Sequence, residues 1–142
     1  MGQWYLIDSN VIIDFAATKI PDEGYAFVEN IFNSNFYTSV VVRIEVLGFE
    51  DTPERLDILE AFLNTAVEIP LSGEISQKTI ALRRIYKKLK LGDAIIAATA
   101  IVHGLTLVTH NVNDFKKIQE LELINPLRII NSPQQSLHLS SH

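Results

Sequence analysis

Short apolar segments alternate along the chain with longer segments in which apolar residues recur at helical spacing. The short segments predict five strands, at residues 4–7, 36–38, 66–69, 105–108 and 127–130. The longer segments predict helices over residues 9–17, 23–33, 73–89 and 94–102, and a further helix that starts after Thr52 and Pro53. Strands that alternate with helices indicate βαβ units and a mostly parallel sheet covered on both faces, an α/β fold.

Polar residues mark several of the predicted helix ends. Asp22 and Ser72 are placed to cap the helices that follow them, and Gly104 is placed to end the helix over 94–102. Residues 39–48 are ambiguous, because a run of three valines favours a strand while Ser39 and Gly48 are typical helix boundaries. In the helix over 73–89, the spacing predicts these inward positions: Ile75, Thr79, Leu82, Ile85, Tyr86 and Leu89.

The composition is that of a single folded domain. The chain has 142 residues, of which 47% are hydrophobic and 20% charged, so we expect one domain over residues 1–131 and a polar, flexible tail over 132–142. The absence of cysteine excludes a disulfide scaffold, a thiol nucleophile and a cysteine-ligated zinc or iron–sulfur site. No apolar stretch is long enough to span a membrane and no signal peptide is evident, so we expect a cytoplasmic protein with no membrane association.

The charge is uneven along the chain. The formal net charge is −5, yet the basic segment (residues 83–90) holds five cations, namely Arg83, Arg84, Lys87, Lys88 and Lys90. The remainder therefore carries −10, which argues against a generally basic nucleic-acid coat. The basic segment is either a solvated helix face or a local binding site for phosphates.

Several carboxylates occupy positions where an open parallel sheet binds its ligands. Asp8 ends the first predicted strand, and Asp114 follows the fourth. Asp93 begins an apolar helix, and Glu45 lies in an apolar segment. Each residue alone is explained by a helix cap, a turn or an exposed face. Together, converging carboxylates would repel one another unless a cation neutralised them, and an oxygen-only ligand set suits Mg²⁺ or Mn²⁺.

Other chemistries lack their sequence signatures. The chain has no glycine-rich dinucleotide motif, no Walker motif and no Gly-x-Ser-x-Gly elbow. Asp8-Ser9-Asn10 also lacks the second aspartate that a phosphatase with an aspartyl-phosphate intermediate would place two residues on. His103 and His110 do not have the spacing of a zinc-binding helix.

Four blocks resemble the PIN domain, and more narrowly the VapC-type toxins of bacterial toxin–antitoxin pairs. The blocks are IDSNVI at residues 7–12, Glu45 before Leu47-Gly48, LGDAIIAA at residues 91–98 and LVTHNVNDF at residues 107–115. The resemblance covers residues 4–130 and implies a three-layer α/β/α sandwich with a metal-dependent ribonuclease site. One departure from the pattern is His110, which stands where many relatives have arginine.

The resemblance also implies roles for individual residues. Asp8 and Asp93 resemble the main ligands of Mg²⁺ or Mn²⁺, and Glu45 and Asp114 resemble further acidic members of the site. The supporting hydrogen bonds are assigned to Ser9, Asn10, Thr109 and Asn111. RNA binding is assigned to the basic segment, in particular Arg83, Arg84, Lys87 and Lys88.

The implied partners are an RNA substrate, a cognate antitoxin protein and a second copy of the chain in a homodimer. The apolar faces at residues 25–32 and 56–63 either form a groove for an antitoxin helix or face the domain's own core. Two alternative functions remain open at this stage. One is a PIN-fold interaction module without catalysis, and the other is a different Mg²⁺-dependent phosphoesterase, such as a phosphatase or a DNA flap nuclease.

Overall fold

The structure, a computed structural model, describes residues 3–128. Its strands are β1 (Tyr5–Ile7), β2 (Tyr37–Ser39), β3 (Val67–Ile69), β4 (Thr106–Val108) and β5 (Leu123–Ile124). Its α-helices are α1 (Ser9–Ala16), α2 (Asp22–Phe32), α3 (Val40–Leu47), α4 (Pro53–Leu63), α5 (Gly73–Ile85), α6 (Leu91–His103) and α7 (Val112–Phe115). A 3₁₀ turn (Pro126–Arg128) follows β5. The predicted tail at 132–142 lies outside the described residues.

The five strands form one parallel sheet in the order β3-β2-β1-β4-β5. In the central strand β1, Leu6 lies opposite Tyr37 of β2 and Leu107 of β4. The chain winds outward from β1 to β3 and then crosses back to β4 on the other side of β1. Right-handed crossovers then place the connecting helices on opposite faces of the sheet, which confirms the predicted α/β sandwich. The change of direction puts a crevice beyond the carboxyl ends of β1 and β4.

The apolar core surrounds the central strands. Leu6, Ile7, Leu107 and Val108 are fully buried, as expected for a parallel sheet with helices on both faces. On one face, aromatic rings of several helices pack together, and the rings of Phe32 and Phe62 have centroids 4.3 Å apart.

The two apolar faces at 25–32 and 56–63 pack inside the domain. Val28, Ile31, Leu59 and Leu63 are buried in the core of the domain. The core interpretation of these residues is therefore confirmed, and they do not form an open groove. No helix within residues 3–128 is long and apolar enough to cross a membrane.

The predicted fifth strand at 127–130 is wrong. The strand that pairs with β4 is Leu123–Ile124, and Leu127 and Arg128 belong to the 3₁₀ turn, while residues 129–130 lie outside the described range. The turn packs closely on α2, because a Cβ added at Gly24 would overlap the Pro126 carbonyl oxygen. The three apolar residues at 127, 129 and 130 indicated a strand more strongly than Leu123 and Ile124, the two residues that pair with β4.

Other helix boundaries also differ from prediction. Within the ambiguous segment 39–48, Val40–Leu47 form helix α3, which Ser39 caps by accepting a hydrogen bond from the Val41 N–H at 3.1 Å. Helix α5 ends at Ile85, because Tyr86 leaves the helical conformation (φ −104°, ψ 87°). Ile85 is therefore 68% exposed and does not point inward as predicted.

Three smaller differences concern helix starts. Asp22 is the first residue of α2 and not its cap, since the capping position is held by Pro21 without a side-chain hydrogen bond. Helix α6 begins at Leu91, which places Asp93 in its first turn. Residues 112–115, for which no helix is predicted above, form the short helix α7.

Candidate functional site

Asp8 lies at the crevice between β1 and β4 and is only 3% exposed. Its Oδ1 accepts a hydrogen bond from the Ser9 N–H (2.8 Å), so the residue caps α1. Its Oδ2 accepts hydrogen bonds from Thr109 Oγ1 (2.8 Å) and Asn10 Nδ2 (3.2 Å). Burial raises the pKa of the Asp8 carboxyl, and these hydrogen bonds oppose the shift.

The polar residues around Asp8 join the ends of the two central strands. Thr109 follows β4, is fully buried, and accepts a hydrogen bond from the Asn111 N–H at 3.0 Å. Asn10 Oδ1 accepts a hydrogen bond from the His110 N–H, also at 3.0 Å. Ser9, Asn10 and Thr109 thus touch acidic groups directly, whereas Asn111 acts on Thr109 through its backbone N–H.

Glu45 comes to the site from helix α3. Its Oε1 accepts a hydrogen bond from Ser9 Oγ at 3.0 Å, which links it to the start of α1. Its Oε2 lies against Gly92 of α6, because a Cβ built there would be only 3.1 Å away. Burial and the negative charge of Asp8 raise the pKa of the Glu45 carboxyl, and the Ser9 hydrogen bond opposes them.

Asp93 links all the acidic groups electrostatically. Its pKa is raised from an ordinary value of 3.8 to about 6. Burial is the largest cause, followed by the negative charges of Asp8, Asp114 and Glu45, while Lys90 opposes the shift. The structure therefore brings the four predicted carboxylates, which are far apart in sequence, into one electrostatic environment. Asp114 is the outer member of the set, on the exposed surface of α7.

The donor chemistry of this acidic site is compatible with Mg²⁺ or Mn²⁺. Every polar side-chain group named above offers oxygen or amide atoms, and hard divalent cations prefer oxygen ligands. Within residues 3–128, no three acidic or histidine side chains already form a compact ligand cluster. Mg²⁺ does not need one, because it keeps several waters and is commonly held by one or two carboxylates. Asp8 and Asp93 therefore fit as a two-carboxylate site.

His110 pairs with Asp14 through its side chain. Its Nδ1 lies 2.7 Å from Asp14 Oδ2, and its side chain is only 7% exposed. Its Nε2 is buried without a hydrogen-bond partner among the described residues. Burial lowers the pKa of the imidazole despite the nearby Asp14 carboxylate. A neutral ring that donates its Nδ1–H to Asp14 satisfies these conditions, so His110 does not replace the phosphate-binding charge of an arginine.

A cleft of about 470 Å³ opens beside Asp93 and Asp114. We call it the lysine cleft, because four lysines line it, namely Lys87, Lys88, Lys90 and Lys117. The basic segment is thus divided by the fold. Lys87 and Lys88 line the cleft, whereas Arg83 and Arg84 lie on the exposed surface of α5 outside it.

Sequence reasoning did not find Lys117 as a site residue. It follows α7 and lies 27 positions or more from the basic segment, so no local charge run could indicate it. The only available signal was its nearness in sequence to Asp114. Its place in the lysine cleft depends on α7 packing beside the start of α6.

Comparisons with known proteins agree on one family. A family model described as PIN domain matches residues 5–121. Ribonuclease VapC1 of Rickettsia felis is 28% identical over 125 residues, which are 84% of this chain and 93% of the relative.

Solved structures show the same fold. A chain of a toxin–antitoxin complex from Klebsiella pneumoniae is 30% identical, with a TM-score of 0.72, and the match covers 88% of this chain and 99% of that chain. A chain of VapBC2 from Rickettsia felis bound to a promoter DNA fragment has a TM-score of 0.74 at 24% identity, with 87% and 98% covered. At that identity the second similarity is one of fold.

Proposed function

The chain belongs to the PIN domain family, and from that premise we propose that it is a metal-dependent endoribonuclease, the toxin of a type II toxin–antitoxin pair. The observation that carries the proposal is the electrostatic convergence of Asp8, Glu45 and Asp114 on Asp93. The similarity to ribonuclease VapC1 supports RNA as the substrate. The similarity to a toxin–antitoxin complex supports an antitoxin as the protein partner.

We assign the metal to Asp8 and Asp93. Asp8 is held in place by three hydrogen bonds, so it needs no rearrangement to present an oxygen. Asp93 lies near three other carboxylates whose negative charges raise its pKa further than burial alone, and a cation bound there would offset their repulsion. A bound Mg²⁺ or Mn²⁺ would neutralise charge on the phosphodiester and lower the pKa of a water molecule.

The chain's own residues do the remaining work of the reaction. Glu45 and Asp114 are the candidates for accepting the proton of the attacking water. Ser9 holds Glu45 through a hydrogen bond of 3.0 Å and so sets the direction of that carboxylate. The lysines of the cleft would hold substrate phosphates next to the acidic groups, so most of the rate enhancement would come from positioning and electrostatics.

Three further assignments belong to the same proposal. The resemblance to VapC-type toxins supports a homodimer, whose second copy would extend the RNA-binding groove. It also supports action in the cytoplasm, where the RNA is. Because a neutral, buried His110 stands where many relatives have arginine, we assign phosphate binding to the lysine cleft.

The decisive experiment compares Asp93→Asn with Asp57→Asn, a matched substitution at an exposed position of α4. We expect Asp93→Asn to keep the fold and to abolish Mg²⁺-dependent cleavage of RNA, because charge more than shape holds the metal. Asp57→Asn should cleave as well as the wild type. Cleavage is measured on purified protein with and without EDTA, and Mg²⁺ binding is measured by calorimetry.

Three outcomes would contradict the proposal. Unimpaired cleavage by Asp93→Asn would remove the acidic site from the mechanism. A wild-type protein that neither binds Mg²⁺ nor cleaves RNA would favour the interaction module. Hydrolysis of a small chromogenic phosphate ester in place of RNA would favour the phosphatase.

A further inference from the structure

An aspartate and a histidine form a largely buried pair next to the acidic site. Nδ1 of His110 lies 2.7 Å from Oδ2 of Asp14, and the two side chains are 7% and 32% exposed. In catalytic triads such an aspartate orients a histidine whose other ring nitrogen acts as the base. Here that other nitrogen, Nε2, is buried and has no hydrogen-bond partner among the described residues. It is not placed to reach a substrate, so the pair has a different role.

His110 is attached to helix α1 at two points. Its backbone N–H donates a hydrogen bond to Asn10 Oδ1 at 3.0 Å, and its ring pairs with Asp14. Asn10 and Asp14 are four positions apart on α1, so they lie on the same face of the helix. We call these two contacts the His110 clamp. The clamp joins the segment that follows β4 to α1 through both main chain and side chain.

The clamp determines which way the Asn10 amide is turned. Asn10 Nδ2 donates hydrogen bonds to Asp8 Oδ2 at 3.2 Å and to Thr109 Oγ1 at 3.4 Å. Because the His110 N–H holds the amide oxygen, the amide nitrogen faces the Asp8 carboxylate. An amide turned by half a rotation would place its oxygen, which cannot donate, against that carboxylate. The His110 N–H therefore keeps a donor on Asp8.

The clamp also fixes the second donor to the same carboxylate oxygen. Thr109 Oγ1 donates to Asp8 Oδ2 at 2.8 Å, and Thr109 is the residue before His110. Since adjacent residues move together, holding His110 against α1 holds the Thr109 hydroxyl at its distance from Asp8. Both donors to Oδ2 thus depend on one attachment of the segment to the helix.

We propose that Asp14 and His110 are positioning residues, which hold Asn10 and Thr109 in the orientation that fixes Asp8. The proposal rests on the proposed ribonuclease function and adds to it two residues that act through others. Burial keeps the His110 ring neutral by lowering its pKa, so the ring donates an ordinary hydrogen bond to Asp14. A carboxamide oxygen at position 14 should therefore replace the carboxylate.

The first test needs neither metal nor RNA. Amide hydrogen exchange is measured by NMR in EDTA for Asp14→Ala and for the control Asp51→Ala, whose aspartate is 22% exposed and pairs with Arg55 at 3.0 Å. We expect the amides of His110 and Asn111 to exchange roughly 10-fold faster in Asp14→Ala than in the control. Amides that exchange only on global unfolding should not show this local difference.

The second test measures Mg²⁺ binding by calorimetry. Asp14→Ala should weaken it roughly 10-fold, the lower end of the range for groups that orient metal ligands. Asp14→Asn should stay within about 2-fold of the wild type, because the hydrogen bond is kept. Asp51→Ala should bind Mg²⁺ as the wild type does. Asp14→Glu, which displaces the carboxylate by one methylene, keeps both tests valid should Asp14→Ala fail to fold.

A kinetic measurement separates positioning from substrate binding. Asp14 does not line the lysine cleft, so Asp14→Ala should bind RNA in EDTA with the affinity of the wild type. Its loss should appear in kcat, and Asp14→Asn should restore kcat.

Contrary results are distinguishable from failure of the proposed function. Equal exchange of the His110 amide in Asp14→Ala and Asp51→Ala would overturn the clamp. Faster exchange together with unchanged Mg²⁺ affinity would overturn the positioning of Asp8 and leave the ribonuclease intact. A wild type that neither binds Mg²⁺ nor cleaves RNA would overturn the proposed function and the positioning role together, whatever the exchange rates.

Discussion

At the scale of single residues, the best-supported part of the site is the environment of Asp8. The carboxylate is buried, yet both of its oxygens accept hydrogen bonds, from two groups at the start of α1 and one just after β4. Thr109 is the most remote of these donors in sequence, and its hydroxyl also accepts from the Asn111 N–H. This one hydroxyl therefore connects the two strand ends that define the crevice.

Two buried threonines allow a matched test of that connection. Thr109→Val removes the hydrogen bond to Asp8, so we expect a loss of about 1.5–3 kcal/mol in the free energy of unfolding. We also expect weaker cleavage of RNA, because Asp8 loses part of its positioning. Urea denaturation and a cleavage assay measure the two effects.

The control is Thr38→Val, at an equally buried position of β2. Thr38 Oγ1 has no hydrogen-bond partner within residues 3–128. Removing this hydroxyl should therefore be neutral or stabilise the protein by up to about 1 kcal/mol. Equal losses for the two variants would mean that the Thr109 hydroxyl has no special role.

A second residue-scale prediction follows from the raised pKa of Asp93. Between pH 3.8 and about 6, folded Asp93 holds a proton that the unfolded chain has released. The stability that this group contributes is thus fully present at low pH and is lost as the pH rises through about 6. At pH 7.5 the ionised carboxylate is destabilising when no metal is bound.

Asp93→Asn should therefore melt at a higher temperature than the wild type at pH 7.5 in EDTA. The side chain is only partly buried, so solvent screening keeps the gain on the order of 1 kcal/mol, or about 3–5 °C. The difference should vanish below about pH 3, where the wild-type carboxyl is protonated in both the folded and the unfolded state. A variant that melts lower than the wild type at pH 7.5 would contradict the assigned electrostatics.

At the scale of elements, polar caps decide where the helices start. Ser39, Thr52 and Ser72 each accept a hydrogen bond from a backbone N–H of the helix that follows. For α3 the cap explains how a valine-rich segment becomes helical. Val42 and Val46 are then buried on one face, so packing and capping together outweigh the strand propensity of the valines.

The end of α6 depends on the backbone conformation of a single glycine. Gly104 follows α6 with a positive φ of 66°, while a Cβ added there would meet no atom within 4 Å. Gly104→Ala should therefore destabilise the protein by about 1–2 kcal/mol through backbone strain alone. Chemical denaturation of the purified variant measures the loss.

The matched control is Gly73→Ala at the first position of α5. A Cβ there also meets no atom within 4 Å, but this position is helical. Alanine should be neutral or stabilise by up to about 1 kcal/mol. An equal loss of stability at Gly73 and Gly104 would mean that the added methyl group does not fit at either position. The left-handed conformation of Gly104 would then not explain its loss.

At the scale of the whole molecule, an acidic protein carries one local cationic cleft beside its acidic site. The net charge of −5 repels RNA at long range, so we expect RNA binding to depend on the few lysines that line the cleft. The fold separates these lysines from the arginines of the same basic segment. The effect of a cation's position on RNA binding can therefore be tested separately from the effect of total charge.

Two double charge reversals change the net charge by the same amount. Lys87→Glu with Lys88→Glu should weaken RNA binding and reduce the slope of log affinity against log salt by about 1.4, the value for two phosphate contacts on a single strand. Arg83→Glu with Arg84→Glu should have a smaller effect, because both residues lie outside the cleft. Anisotropy titrations over a range of salt concentrations measure both slopes. Identical slopes for the two variants would mean that the basic segment is a solvated helix face and not a binding site for phosphates.

Much of this architecture was predictable from local signals. The first four strands, the helix starts at Thr52 and Ser72, and the four carboxylates of the acidic site can all be identified along the chain. The fifth strand and the end of α5 could not. A two-residue strand carries almost no periodicity, and the early end of α5 follows from the turn into α6 at Tyr86.

The sequence by itself determined the alternation of strands and helices that makes an α/β fold, because hydrophobic periodicity and capping act over a few residues. It also determined that the chain carries unusual carboxylates and a cluster of cations. Only the tertiary structure decided that Asp8 meets Thr109 across 101 positions, that His110 pairs with Asp14, and that Lys117 joins Lys87 in one cleft. These contacts depend on the crossover that places β4 beside β1, and no local propensity encodes which strand ends become neighbours.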